Sequence, residues 1–368
     1  MQEQSTQDPR LDEAPSLRVP GDESAAEGPF KGVFASAAGF FESIGRVSRG
    51  GSKRFHRLHR EKWTQDSYLD EVISLRAPGD DSAEPTHVVI VLSGLYDGPE
   101  AILETPDFGG NYADLPRHVS SVLEQKRKGE KVVSAPRASI GGDRSFDGSA
   151  AYDRDSEGPK DWSIKYVFPI PPKRTMEWPG GAEEGVRAYY TYKTDMNGKA
   201  EEDKIIDSEM AGATAAVLHL IERETVTLRK SEEKYGPAEK RVILAGCSQG
   251  GTVAINAVST TDEQVLAALV PMRTIAMSHS DRAVEARMNN DRNAAMRLAG
   301  IPVYWYKAQE DDVYPGQWSE ECFGRWVSKG KFEKVERCEE PGLTHEERSE
   351  KEVHYLAAKV VETFLLRG

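Results

Sequence analysis

Arg241-Val-Ile-Leu-Ala-Gly-Cys-Ser-Gln-Gly-Gly-Thr-Val-Ala-Ile-Asn-Ala-Val258 decides how the rest of this chain is read. Arg241–Ala245 is short, apolar and rich in β-branched residues, the pattern of a buried strand. Gly251–Val258 opens a helical pattern. Between them lies Gly246-Cys247-Ser248-Gln249-Gly250, and a Gly-x-Ser-x-Gly joining strand to helix is the setting of a nucleophile elbow. The turn is tight enough that its flanking positions must lack a Cβ. Ser248 is therefore expected at the apex, strained, with its hydroxyl outward over the positive end of the helix dipole. The alternative, an ordinary glycine-rich turn, does not require this strand and helix on either side.

Working outward, apolar runs at Val88–Leu92, Ile164–Phe168, Val242–Ala245, Arg273–Met277, Val303–Tyr306 and Phe332–Arg337 predict strands. Helical periodicity falls at 113–127, 207–230, 251–258, 283–298 and 346–366. Strands alternating with helices predict an α/β fold with a mainly parallel sheet flanked by helices, its site at the carboxyl ends of the strands. Residues 129–161 are rich in Gly, Ser, Asp and Arg without periodicity. They are expected to be an insertion loop, with a lid as the alternative.

A serine hydroxyl needs a base to take its proton and an acid to orient that base. With the order Ser, acid, His along the chain, the candidates for the base are His279, His345 and His354. His354 falls inside the terminal helix, and His279, in a Ser278-His279-Ser280 loop after an expected strand, is the second candidate to border the site. His345, in the loop Glu340-Pro-Gly-Leu-Thr-His345 between the last strand and the last helix, is the preferred base. Glu310, Asp311 and Asp312 follow the strand Val303–Tyr306, and one of them is expected to hold the imidazole. Stabilising a developing oxyanion takes backbone N–H groups. Gln249, directly after the nucleophile, should supply one, and Leu95 in Ser93-Gly94-Leu95-Tyr96-Asp97-Gly98 the other. No cofactor or metal is called for.

These residues together resemble the acyl-protein thioesterase and carboxylesterase family of α/β-hydrolases, which includes lysophospholipase-like esterases. Cys247-Ser248-Gln249-Gly250-Gly251 is similar to the family's Phe-Ser-Gln-Gly-Gly elbow, and Ser93-Gly94-Leu95-Tyr96-Asp97 to its His-Gly-Leu-Gly-Asp strand end. Tyr166-Val-Phe-Pro-Ile-Pro-Pro172 resembles a strand ending in Pro-x-Ala-Pro, and Gly342-Leu-Thr-His345 the Gly-x-x-His of the base. Asp311-Asp-Val-Tyr-Pro315 resembles Asp-Pro-x-Val-Pro, which places the acid on Asp311. The likeness runs in order over roughly residues 86–366. Ser93 stands where the family has histidine, Tyr96 where it has glycine, and an aromatic motif appears only loosely as Tyr189-Tyr-Thr-Tyr192. The resemblance implies an α/β-hydrolase fold and cleavage of thioesters on acylated proteins, or of small carboxyl esters and lysolipids. A non-catalytic membrane adaptor on the same scaffold is the rival reading.

The rest of the chain sets bounds. A formal charge of −13 over 368 residues offers no basic surface for nucleic acid. The three cysteines, Cys247, Cys322 and Cys338, have neither metal-site nor disulfide spacing, which favours a reducing compartment. With a polar, acidic start and no apolar run of membrane-spanning length, a cytoplasmic protein is expected. Residues 1–85 are expected to form a mostly disordered extension before a catalytic domain at 86–368. The segment Thr6–Ala25 returns, altered, as Thr64–Ala83, a duplicated leader rather than a solenoid. Between the copies, Phe30, Val33, Phe34, Ala37, Phe41, Ile44 and Val47 recur at helical spacing, followed by a basic cluster that reaches Lys62. This predicts an amphipathic helix near 30–48 and weak peripheral contact of 30–62 with anionic membranes, against a docked helix or a linker. Oligomeric state is left open.

Overall fold

The computed structural model describes residues 58–76, 84–103, 112–128, 163–178, 181–192, 205–261, 266–290 and 292–365. Ten strands occur among them: β1 (Leu58–Lys62), β2 (Glu71–Arg76), β3 (His87–Leu92), β4 (Ile164–Ile170), β5 (Lys173–Trp178), β6 (Gly181–Arg187), β7 (Val242–Cys247), β8 (Ala268–Met272), β9 (Val303–Ala308) and β10 (Val335–Glu340). Eight form one sheet in the order β1-β2-β4-β3-β7-β8-β9-β10, and β5 and β6 pair as a separate two-stranded sheet. The β1–β2 and β2–β4 pairings are antiparallel, and those from β4 through β10 are parallel.

The central strands are buried throughout, so their side chains alternate between two cores rather than between core and solvent. Val88, Ile90 and Leu92 of β3 join one cluster, Val89 and Val91 the other. The helices are α1 (Pro99–Leu103), α2 (Leu115–Arg127), α3 (Asp207–Arg229), α4 (Glu232–Tyr235), α5 (Gln249–Thr260), α6 (Ser278–Asn290), α7 (Arg292–Ala299), α8 (Gly316–Gly330) and α9 (Glu350–Leu365). Residues of α3, α5, α6 and α8 fill the first cluster, and residues of α2 and α9 fill the second. Helix α3 shows how: Met210, Ala213, Val217, Leu220, Glu224 and Leu228 recur at three- and four-residue spacing and are all buried. Its acidic first turn, Asp207 and Glu209, suits the positive end of the helix dipole.

The structure departs from the sequence reading in several places. The sheet begins before residue 86, because β1 and β2 extend it. Strand β2 lies in the second copy of the duplicated segment and buries Val72, Ile73 and Leu75. The first copy carries Pro15 at the place of Ile73, and proline cannot donate to a ladder. The end of the basic cluster is likewise strand, with Arg60 of β1 bonding Glu71 of β2 at 2.7 Å.

The strand expected at Arg273–Met277 lies five residues earlier, at Ala268–Met272. Pro271 disguised it. Leu269 donates to Pro302 and Arg273 to Tyr306, so the missing N–H of Pro271 removes the rung between them. The β8–β9 register accordingly holds only at Leu269↔Val303 and Met272↔Tyr306.

The β5–β6 hairpin was not anticipated at all. It buries only Met176 and Val186 and carries glycines at 181 and 185, so it shows no strand periodicity. The proposed helix near 30–48, the first repeat copy and the 129–161 insertion lie outside the described residues.

Candidate active site

Strand β7 runs into Ser248, and helix α5 starts at Gln249. Ser248 has φ 51° and ψ −123°, a left-handed conformation that a non-glycine residue holds only when its surroundings impose it. They do so here by close approach. A Cβ on Gly246 would come within 2.5 Å of the Gly250 carbonyl oxygen, and one on Gly250 would collide with the carbonyl oxygen of Ser93. The Ser248 amide donates to the Met272 carbonyl at the end of β8, at 3.0 Å. The turn is thus clamped on both sides.

The carboxyl ends of three strands bring the other candidates to this serine. His345, in the loop after β10, has Nε2 2.8 Å from Ser248 Oγ. Asp311, in the loop after β9, meets His345 Nδ1 with its two carboxylate oxygens at 3.0 and 2.9 Å. The carboxylate accepts the Nδ1 proton, which leaves Nε2 as the acceptor for the Ser248 hydroxyl. Asp311 Oδ1 also accepts the amides of Val313 and Tyr314, at 3.1 and 2.7 Å, which fixes it in place. The Tyr314 ring stands edge-on to the imidazole, centroids 5.0 Å apart at 85°. Asp311 and His345 are buried, whereas Glu310 and Asp312 are exposed.

The remaining histidine candidates lie elsewhere. His279 starts α6 and pairs with Asp207 at 3.2 Å. His354 lies within α9, with its ring edge-on to His118.

Of the two candidate oxyanion donors, Gln249 follows Ser248 in the chain and Leu95 lies in the loop after β3. The Gln249 amide opens α5, where first-turn N–H groups lack an intrahelical acceptor. Its side chain holds the neighbouring segment instead: Oε1 accepts the Tyr189 amide at 2.7 Å and Nε2 donates to the Tyr190 carbonyl at 2.8 Å. Leu95 follows Gly94, where a Cβ would stand 3.4 Å from that of Ser248. The Gly94 amide donates to Asp97 Oδ2 at 2.8 Å, and Arg348 bonds the other Asp97 oxygen, which ties this loop to the loop of His345.

Tyr96 sits in the same loop at φ 67°. Its hydroxyl donates to Glu183 at 2.8 Å, Trp178 Nε1 donates to the same carboxylate at 2.9 Å, and its amide donates to the Arg187 carbonyl at 2.9 Å. Burial and then the Glu183 carboxylate push the Tyr96 phenol upward, keeping it a neutral donor. These bonds hold the unanticipated β5–β6 hairpin against the loop that carries Leu95. The one sequence signal for it was the bulky Tyr96 where the resembling motif has glycine.

A mainly parallel sheet of eight strands, flanked by helices on both faces and carrying a strained Gly-x-Ser-x-Gly turn from a central strand into a helix, is the α/β-hydrolase fold. No protein-family model matches the chain, and no curated protein does. Similar solved structures include Arabidopsis thaliana SOBER1, 14% identical with a TM-score of 0.47, the match covering 75% of this chain and 98% of that one. Zea mays acyl-protein thioesterase 2 is 16% identical with a TM-score of 0.49, covering 80% of this chain and 98% of that one. A phospholipase/carboxylesterase from Dyadobacter fermentans is 12% identical with a TM-score of 0.41, covering 83% and 100%. Among the described residues no helix is long and apolar enough to cross a membrane, and no cluster of side chains has the makings of a metal site.

Proposed function

We propose that this protein is a serine hydrolase that cleaves acyl thioesters or carboxyl esters through Ser248, His345 and Asp311. The observation that carries this reading is the unbroken relay from Ser248 Oγ to His345 Nε2 at 2.8 Å and from Nδ1 to Asp311 at 2.9 Å. Ser248 Oγ attacks the acyl carbonyl carbon as Nε2 takes the hydroxyl proton. Negative charge on the tetrahedral oxygen is met by the amides of Leu95 and Gln249. The leaving thiolate or alkoxide departs with the proton from Nε2, giving a Ser248 acyl-enzyme. Water, deprotonated by the same nitrogen, then releases the carboxylic acid and regenerates the serine. Asp311 stabilises the imidazolium formed in each half-reaction.

The motif resemblance favours acyl-protein thioesters, hence depalmitoylation, with small esters and lysolipids as the second substrate class. Matched acyl thioesters and oxygen esters of increasing chain length test the choice. Higher kcat/KM for long-chain thioesters supports the first reading, and higher values for short esters or lysolipids move the protein to the second. A non-catalytic adaptor would turn over none of them.

The basic segment between the repeat copies supports reversible peripheral attachment to anionic membranes. Sedimentation with phosphatidylserine vesicles at low and high salt tests this attachment. Salt-insensitive binding, or none, would remove it.

A further inference from the structure

Beneath the serine lies a charged residue that the proposed chemistry does not use. Arg273 follows β8 directly, has φ 42°, and is 3% exposed. A left-handed backbone at a buried, non-glycine residue is held only by surrounding interactions. Those of Arg273 reach every segment that carries the relay. Its amide donates to the Tyr306 carbonyl at 2.8 Å, in the strand that leads to Asp311. The carbonyl before it, Met272, accepts the Ser248 amide at 3.0 Å.

The guanidinium extends the pattern. Nη1 donates to the backbone carbonyl of His345 itself. Nη2 lies 3.1 Å from Cys247 Sγ, on the residue before the nucleophile. Nε donates to Glu352 of α9 at 2.5 Å, and Nη2 reaches the other Glu352 oxygen at 3.2 Å. Glu352 is in turn bonded by the Tyr112 hydroxyl. The planar fork of arginine has donors enough, at fixed angles, to serve these acceptors together, whereas a lysine ammonium is a single point.

We infer that Arg273 is a positioning residue of the active site: its guanidinium fixes the His345 backbone and so sets the reach of the imidazole to Ser248. This rests on the serine-hydrolase reading above. A buried carbonyl left without its donor seeks another partner, and the loop at 341–345 shifts with it. Displacement of a catalytic group by about an ångström costs on the order of 100-fold in rate. Substrate binding is untouched, because Arg273 lies under the site rather than in it.

Three variants of the full chain test this, with kcat expressed per active site labelled by a fluorophosphonate. Arg273→Lys keeps the charge beside Glu352 but gives up the fork. Arg273→Gln combined with Glu352→Gln removes both charges, leaving no carboxylate buried alone. Glu352→Gln by itself leaves Arg273 on the His345 carbonyl. The first two should lose about 10- to 100-fold in kcat per labelled site with KM within about twofold. The low-field proton resonance of His345 Nδ1 should broaden with that loss. Glu352→Gln alone should stay within about threefold of wild type.

Unchanged turnover per labelled site in the Arg273 variants, with only the number of sites or the melting temperature lowered, overturns the inference. An equal loss in Glu352→Gln assigns the effect to the ion pair and overturns it too. Wild-type protein that neither labels nor turns over would instead defeat the hydrolase reading, so the two failures are distinct.

Discussion

Asp311 meets Nδ1 of His345 with both carboxylate oxygens, at 3.0 and 2.9 Å, while the adjacent Asp312 points to solvent. Chain neighbours of identical chemistry are thereby separated by one residue of register. Asp311→Asn should lower kcat by about 10⁴-fold, through loss of the imidazolium partner and of the correct tautomer. Asp312→Asn and Glu310→Gln should remain within a few-fold of wild type. Steady-state kinetics on one ester substrate checks all three, and a severe Asp312→Asn would shift the acid by one position.

His345→Ala should be as damaging as Ser248→Ala, because groups that act as a unit are not additive; each should cost at least about 10⁴-fold. His279→Ala and His354→Ala should keep nearly full activity, since His279 is engaged with Asp207 and His354 lies in α9. Comparable activity in His345→Ala and wild type would transfer the base to another residue.

How much of this was legible in the sequence depended on whether a residue's role was written locally. Gly246, Ser248 and Gly250 announce the elbow because a strand and a helix crossing this closely tolerate no side chain at the glycines. His345 was legible because a relay needs a base in the loop after the last strand, whereas Asp311 was set apart from Glu310 and Asp312 only by the likeness of Asp311-Asp-Val-Tyr-Pro315 to the family motif. Strand β8 was misplaced because Pro271 interrupts its ladder, and with it went Arg273, which then sat at the start of a supposed strand. The Arg273–Glu352 pair spans 79 positions, and no local pattern encodes it. The β5–β6 hairpin escaped for a different reason: it folds through polar bonds such as Tyr96–Glu183 rather than through apolar alternation.

His87 gives the fold a signature in acid. Burial, reinforced by the nearby Arg241 charge, lowers its pKa from 6.5 to about 3. Below pH 6.5 the unfolded chain therefore binds a proton that the folded chain refuses, so stability from this group is complete above 6.5 and is lost as pH falls toward 3. The loss is about 1.4 kcal/mol per pH unit within that window. His87→Leu should melt with a visibly shallower dependence between pH 7 and pH 5 than wild type. Parallel curves for the two proteins would show that His87 titrates normally.

The cysteines should be silent. All three are free and buried, and burial pushes the Cys247 thiol up to about 12 even with Arg273 beside it. Cys338 is pushed up to about 12 by the same cause. A thiolate is the reactive form, so a disulfide reagent at pH 8 should report essentially no thiol in the native protein and three after denaturation. Rapid modification of Cys247 without unfolding would mean that the floor beneath the serine is open.

Covalent capture of the nucleophile is the most direct measurement. Full-length protein treated with a fluorophosphonate should gain one adduct by intact mass, mapped by peptide analysis to Ser248, with esterase turnover lost in step. Ser248→Ala, folded as judged by its melting curve, should gain none. Labelling at another residue, or wild-type protein that stays unmodified under conditions that label a known serine hydrolase, would contradict the assignment of Ser248 as an activated nucleophile.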